Sequence, residues 1–314
     1  MTDVTGPQGN APGPTMSKTK LKQTIWPEPL VVNPTIAHTH SILLLHGRGS
    51  NAERFGLELL AARSSGGKTL AEHFPSAKFI FPTAKKRRST VLKRVPINQW
   101  FDNFSLEDPS QRQNLQYEGI RETSAFVAGL LHSEAEAVGA DRVVVGGLSQ
   151  GCAAALHVLL NFGGPFPLAG FVGMSGWLPF AETLDPAVED GNEDEDDIFG
   201  PCRADEDSSC QDAGSCRRAP LHELQRRAAD VARDIASLAP LSPSQEVLFP
   251  RTPIFLGHGR NDEKVSVDLG GQARSVLQAL GCNVTWKDYD EGHWYKVPEE
   301  IDDIVDFLQG PVRI

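Results

Sequence analysis

One serine in this chain stands where a nucleophile would. In "DRVVVGGLSQGCAAALHVLL", residues 141–160, a valine-rich run ends in two glycines, and Ser149 follows between Gly147 and Gly151. A helix-like apolar run comes next. The pentapeptide is G-x-S-x-G at a strand–turn–helix junction, where a strained turn exposes the hydroxyl and small neighbours let strand and helix pass closely. Ala153, Ala154 and Ala155 extend that smallness into the helix. A serine hydroxyl is a weak nucleophile at its free pKa. It needs a base, and the base needs a group that orients it.

Chain order narrows the partners. On a scaffold of this kind the serine is followed by an acid and then by a histidine. Of nine histidines, His293 is the one beyond the acids of the later strand-like runs, in "DEGHWY". For the acid, "IFLGHGRND" puts Asp262 on a loop about five residues past a buried run, with Asp288 and Asp290 as rivals nearer the histidine. Asp262 is the preferred candidate. Developing negative charge on an acyl carbonyl needs backbone N–H donors. One is expected from Gln150, the residue after the serine. The other is expected from Arg48, in the glycine-rich turn "LLHGRGSN". His46 in that turn reads as structural. The Arg48 side chain is either solvated or a grip for an anionic substrate group. Trp100, Phe101, Trp177 and Leu178 flank loops expected to face substrate. They are candidates for acyl-pocket walls or for core anchors.

These residues require a frame that brings strand ends together. "HSILLLHGRGS" (40–50), "AKFIFPTA", "RVVVGGLS", "LAGFVGMSGWLP", "TPIFLGHGRND" and "NVTWKDYDEGH" read as strands, most of them continuously apolar. Helical patterns separate them, including "NLQYEGIRETSAFVAGLLHSEAEAVG" with Ile120, Phe126, Val127, Leu130 and Leu131 at helical spacing. "PLHELQRRAADVARDIASL" is a further candidate helix. Apolar strands alternating with helices predict an α/β fold, a mostly parallel sheet covered on both faces. "KKRRSTVLKRVPINQWFDNF" reads as a long basic loop. Residues 1–20 read as a disordered tail, and 21–314 as one domain interrupted by an acidic, solvated insertion at about 181–218. No internal repeat is visible.

The net charge of −11 is concentrated. Between Glu182 and Asp212 thirteen acidic residues face a single Arg203, so that segment carries −12 and the remainder sits near +1. The working surface is therefore not acidic, and the balance gives no reason to expect nucleic acid. No run approaches the length of a membrane span, and the N-terminal residues lack the apolar core of a signal peptide. Five cysteines, two in expected core helices and three at C-x7-C-x5-C in the insertion, fit free thiols in a reducing, cytoplasmic setting better than disulfides or a metal finger. The basic run 85–94 is suited to transient contact with an anionic membrane surface or a phosphate-bearing substrate. Nothing in the pattern fixes an oligomeric state.

Six blocks, "LLLHGRGSNAERF", "FPTAKKR…WFDN", "GGLSQGCAAAL", "MSGWLP", "HGRNDEKV" and "DYDEGHWY", occur in the order found in acyl-protein thioesterases. The sequence resembles that group, in the phospholipase/carboxylesterase branch of the α/β-hydrolases, over roughly residues 40–180 and 250–308. The resemblance implies an α/β-hydrolase fold, with Ser149 as nucleophile, Asp262 as acid and His293 as base. It also implies the Arg48 and Gln150 amides as oxyanion hole. It implies hydrolysis of acyl thioesters on proteins, lysophospholipid esters or small carboxylic esters, with no metal or cofactor. The chain departs from the pattern at Arg48, usually a small apolar residue, and at Ser50–Asn51, usually acidic. Its basic run 85–94, long insertion and extra N-terminal tail are further departures. These leave the chemistry intact and bear on acyl length and head group. A small-ester carboxylesterase is the alternative enzyme. A catalytically silent hydrolase-fold binding module is the alternative outside enzymes.

Overall fold

The computed structural model describes residues 1–2, 26–187 and 219–314. Most of the expected tail, most of the acidic insertion and Cys202, Cys210 and Cys216 lie outside the described residues. In chain order the strands are β1 (Leu30–Val32), β2 (His40–Leu45), β3 (Ala77–Phe81), β4 (Lys86–Ser89), β5 (Val95–Asn98), β6 (Val143–Leu148), β7 (Gly170–Met174), β8 (Ile254–Gly259) and β9 (Val284–Tyr289). The α-helices are α1 (Ala52–Ala61), α2 (Leu70–His73), α3 (Tyr117–Val138), α4 (Gln150–Asn161), α5 (Ala181–Leu184), α6 (Leu221–Ile235), α7 (Val267–Ala279) and α8 (Glu299–Gln309).

Seven strands form one sheet in the order β1-β3-β2-β6-β7-β8-β9, parallel except for the edge strand β1. The apolar runs need no polar alternation because both faces are covered. Successive side chains of one strand enter opposite layers. Leu43 and Leu45 of β2, with Val143 and Val145 of β6, pack in the layer that holds α3, α4, α6 and α7. Ile42, Leu44 and Val144 pack in the layer that holds α1 and α8. Helix α4 is buried at all twelve positions, which accounts for its apolar character all round. Helix α6 forms as expected and packs Ala228, Ala229 and Ala232 into the α4 layer.

Three expectations are corrected. The basic run 85–94 is not a loop but the arm of a two-stranded antiparallel hairpin, β4–β5, pairing Lys86 with Asn98 and Ser89 with Val95. No apolar alternation announced it, because polar anchors hold it in place. Thr90 donates through both its amide and its hydroxyl to Asp102, and Arg87 pairs with Glu122 at 2.6 Å. Strand β8 continues through His258 and Gly259, which pair with Asp288 and Tyr289, so Asp262 lies three residues past the strand rather than five. Of the two expected helical cysteines, Cys152 lies in α4, whereas Cys282 lies just after α7. Both are buried and unpaired.

The parallel strands send their C-terminal ends to one edge. The chain runs from β2 outward to β3 and then returns to place β6 on the other side of β2. Crevices of open α/β sheets form at such a reversal. The β2 and β6 turns meet there, and the loops after β8 and β9 reach the same edge.

Candidate active site

Backbone closeness builds the serine turn. A Cβ at Gly146 would meet the Val172 carbonyl oxygen at 1.8 Å, and one at Gly147 or Gly151 would meet the Leu45 oxygen at 2.4 or 2.1 Å. Only glycine lets β6 and α4 approach β2 and β7 this closely. Ser149 takes φ 56° and ψ −122°, a conformation that costs an L-residue free energy and persists because the surroundings impose it. Its amide donates to the Met174 oxygen at 2.8 Å, and its oxygen accepts from Ala153 at 3.0 Å. The turn therefore cannot relax.

The loop after β9 carries His293 to the serine. His293 Nε2 lies 2.9 Å from Ser149 Oγ, and Nδ1 lies 2.7 Å from Asp262 Oδ2. These distances join three groups that stand 144 and 31 residues apart in the chain. Asp262 is fixed in turn. Its Oδ1 accepts from the Lys264 and Val265 amides, each at 2.9 Å. Burial opposes ionisation of this carboxyl. Bonds from His258, His293 and the Val265 amide outweigh burial and hold its pKa well below the usual carboxylate range. The rivals are engaged elsewhere. Asp288 pairs with Arg260 at 3.0 Å, and Asp290 accepts from Asn261 at 2.7 Å.

His258 was not singled out from the sequence. Its ring is buried, its Nε2–H donates to the Val265 oxygen at 2.9 Å, and the same nitrogen lies 3.4 Å from Asp262 Oδ2. The available signal was its place at the end of an apolar strand, four residues before the acid. Gln150 was expected to act through its amide alone. Its side chain also latches the loop after β5, accepting from the Trp100 amide at 3.0 Å and donating to the Phe101 oxygen at 2.8 Å. Trp100 Nε1 donates to the His46 oxygen at 2.7 Å.

His46 is a strut between turns. Its Nε2 accepts from the Ala84 amide at 3.0 Å, so the proton sits on Nδ1, which donates to the Gly47 oxygen at 2.7 Å. Burial lowers its pKa to about 4, against the raising effect of that carbonyl, so the ring is neutral. The turn after it is clamped by Gly49 N–H on the Asn98 oxygen at 2.7 Å and by Asn98 Nδ2 on the Ser50 oxygen at 2.9 Å. A Cβ on Gly47 would lie 4.0 Å from Ser149 Oγ, so the turn that carries Arg48 passes close to the hydroxyl. Among the described residues no backbone or side-chain acceptor takes the Arg48 amide. Gln150 is the first residue of α4, where an amide has no intrahelical acceptor. A hydrogen-bonded Ser–His–Asp series, flanked by two turns whose Arg48 and Gln150 amides have no acceptor among the described residues, is a combination suited to acyl transfer.

A cavity of about 330 Å3 opens over Ser149 and His293, walled by Phe55, Leu106, Leu148 and Trp294 with Arg48, Arg54 and Lys264. None of the four pocket candidates lines it. Trp100 and Phe101 are fully buried anchors, and Phe101 and Trp177 meet edge to face at 6.1 Å. Trp177 and Leu178 instead border a separate cavity of about 100 Å3. Aromatic type alone does not tell wall from anchor, because both uses bury rings beside loops. Among the described residues no group of three or more His, Cys, Asp or Glu side chains could hold a metal ion, and no helix is long and apolar enough to cross a membrane.

The phospholipase/carboxylesterase family model matches residues 27–194. Acyl-protein thioesterase 1 of Schizosaccharomyces pombe is 31% identical over 160 residues, covering 51% of this chain and 65% of that protein. Acyl-protein thioesterase 1 of Yarrowia lipolytica is 25% identical over 292 residues, 91% of this chain and 99% of that protein. Among solved structures, Zea mays acyl-protein thioesterase 2 superposes with a TM-score of 0.61 at 27% identity, covering 91% of this chain and 99% of that one. A Bacillus cereus carboxylesterase shares the fold at 14% identity, with a TM-score of 0.55 and coverage of 92% and 96%.

Proposed function

The chain belongs to the phospholipase/carboxylesterase family of serine hydrolases, and on that premise we propose that it cleaves acyl thioesters or esters through an acyl-enzyme formed on Ser149. The observation that carries this reading is the unbroken series Ser149–His293–Asp262 at 2.9 and 2.7 Å. His293 Nε2 takes the hydroxyl proton as Oγ bonds to the acyl carbon. The carbonyl oxygen becomes an oxyanion held by the Arg48 and Gln150 amides, each donor worth about 3 kcal/mol of barrier. Collapse breaks the C–S or C–O bond, and the leaving thiol or alcohol takes the proton from His293. Water, deprotonated by the same nitrogen, then releases the acid and restores the serine. Asp262 keeps the imidazole in the working tautomer and offsets its charge when protonated.

Acylated proteins lead as substrates because the named relatives are acyl-protein thioesterases. The cavity favours a second reading, a carboxylesterase of small esters, since about 330 Å3 sits near the lower end of ligand-pocket sizes. Turnover of a series of acyl thioesters and esters of rising length separates the two. The hairpin supports a transient contact with anionic membranes. Its tip exposes Val91, Leu92 and Val95 beside Lys86, Arg88, Lys93 and Arg94, which form no ion pair with a carboxylate among the described residues. The unpaired thiols Cys152 and Cys282 support a reducing, cytoplasmic setting. A fluorophosphonate probe should label the wild type at Ser149, and Ser149→Ala should lose both labelling and the burst of an aryl-ester leaving group. A burst that survives the substitution overturns the assignment, and an unlabelled wild type points instead to a silent binding module.

A further inference from the structure

The wall of the serine cavity holds an unmet charge. Three of its side chains are cationic, Arg48, Arg54 and Lys264, and among the described residues no carboxylate lines it. Arg48 Nη1 is shut off from solvent and has no hydrogen-bond partner among the described residues. Asp102, whose charge is felt at Arg48, is not within ion-pair distance and already accepts from Thr90 and Gln99. The catalytic carboxylate Asp262 has a fully buried side chain behind His293. Arg54 has only an exposed pairing with Glu58 at 3.8 Å, and the Lys264 side chain forms no ion pair among the described residues. Burying a charged donor without an acceptor is costly, and such atoms are rare in folded proteins. The turn that carries Arg48 is clamped to Asn98, so the side chain cannot be freed by loosening the backbone.

We infer that Arg48, assisted by Lys264 and Arg54, binds a carboxylate or phosphate that the substrate carries within a few bonds of its scissile carbonyl. The enzyme is therefore selective for anionic acyl thioesters or esters. The inference rests on the hydrolase reading and deepens it. A planar guanidinium matches two oxygens of either group at once, and the apolar remainder of the wall, Phe55, Leu106 and Trp294, receives the hydrocarbon between that group and the reacting carbon. The anion can reside on the acyl chain or on the leaving group, and the two are separable by synthesis.

Three thioesters test this with the full-length protein. They are the neutral hexanoyl thioester of N-acetylcysteamine, its adipoyl counterpart with a terminal carboxylate, and the hexanoyl thioester of 2-mercaptoethyl phosphate. At least one anionic compound should exceed the neutral one in kcat/KM by about 10-fold or more, as expected for a charged hydrogen bond. The adipoyl compound winning assigns the anion to the acyl side, and the phosphate compound winning assigns it to the leaving group. The readout for Arg48→Gln is the anionic-to-neutral ratio, in which any loss through the neighbouring amide cancels. That ratio should collapse toward unity in Arg48→Gln, recover in part in Arg48→Lys, and fall about 2- to 3-fold in Lys264→Gln, whose side chain is exposed. Raising ionic strength on the wild type should lower the ratio without any substitution. Equal or poorer turnover of both anionic compounds, or a preference that survives Arg48→Gln, overturns the inference while leaving the hydrolase intact. Failure to turn over all three by a protein that a fluorophosphonate still labels at Ser149 overturns the inference, and loss of labelling as well overturns the hydrolase reading itself.

Discussion

The serine turn and the cationic wall border one cavity and are built by opposite rules. In the turn, backbone touches backbone. Gly146, Gly147 and Gly151 lie against carbonyl oxygens of neighbouring strands, and the polar atoms of Ser149, His293 and Asp262 are bonded to one another or to the main chain. In the wall, cationic side chains line the cavity, and the buried Arg48 Nη1 has no hydrogen-bond partner among the described residues. The contrast suggests a division of labour. Reaction geometry is secured by contacts too tight to vary, whereas substrate choice is left to side chains that can change without disturbing the frame. Four substitutions can break or sharpen that contrast.

The largest effect belongs to the turn. Gly146→Ala puts a methyl 1.8 Å from the Val172 oxygen, and neither strand can retreat without unpairing the sheet. The variant should fail to fold, as read by circular dichroism and expression of soluble protein. A stable, active Gly146→Ala would break the claim that backbone contact sets the site. Next, Ser149→Ala should cut kcat/KM by about 10^4-fold or more while leaving the urea midpoint close to wild type. A large shift in the midpoint would mean that the hydroxyl also holds the turn. Third, Gln150→Ala strands the Trp100 amide and the Phe101 oxygen in the core. Unfolding free energy should drop by about 2–4 kcal/mol, and Gln150→Glu, which sets a buried carboxylate against the Phe101 oxygen, should lose at least as much.

The smallest effect separates the pH response of the fold from that of the site. Glu300, near the N-terminus of α8, is buried, accepts from the Lys296 amide, and leaves Oε1 without a partner. Burial, against the lowering effect of that amide, raises its pKa to about 8, and Asp303 and Glu291 add to the rise. The folded state thus holds a proton that the unfolded chain releases near pH 4.5. This contribution to stability is complete below 4.5 and is lost as pH climbs through about 8. Between pH 6.5 and 8 the loss should be on the order of 1 kcal/mol per pH unit. Glu300→Gln should flatten that slope in urea titrations and leave the pH profile of kcat/KM unmoved. A shifted profile would tie Glu300 to the reacting groups.

The serine and the acid–histidine order were legible because a strand–turn–helix junction writes its constraints locally, as valines, glycines and alanines within about twenty residues. The buried parallel strands were legible for the same reason. The β4–β5 hairpin was hidden because nothing apolar marks it. Its anchors, Thr90 to Asp102 and Arg87 to Glu122, are polar pairs that read as loop chemistry. For the aromatic pocket candidates the sequence left wall and anchor open for a related reason: a ring beside a loop looks the same whether it faces substrate or the core.

By itself, then, the sequence determined the serine turn, the strand and helix alternation, and the chain order of Ser149, Asp262 and His293. Each of those is a property of neighbouring residues and of backbone periodicity. Only the tertiary structure decided that Gln150 latches the Trp100 loop, that His258 stands against Asp262, and that Arg48 borders the cavity with a buried Nη1 unpartnered among the described residues. The Trp100 latch and the bare face of Arg48 depend on which strand ends become neighbours across a reversal of the sheet. The His258 contact depends on how the loop after β8 folds back on its own strand. Linear spacing fixes neither.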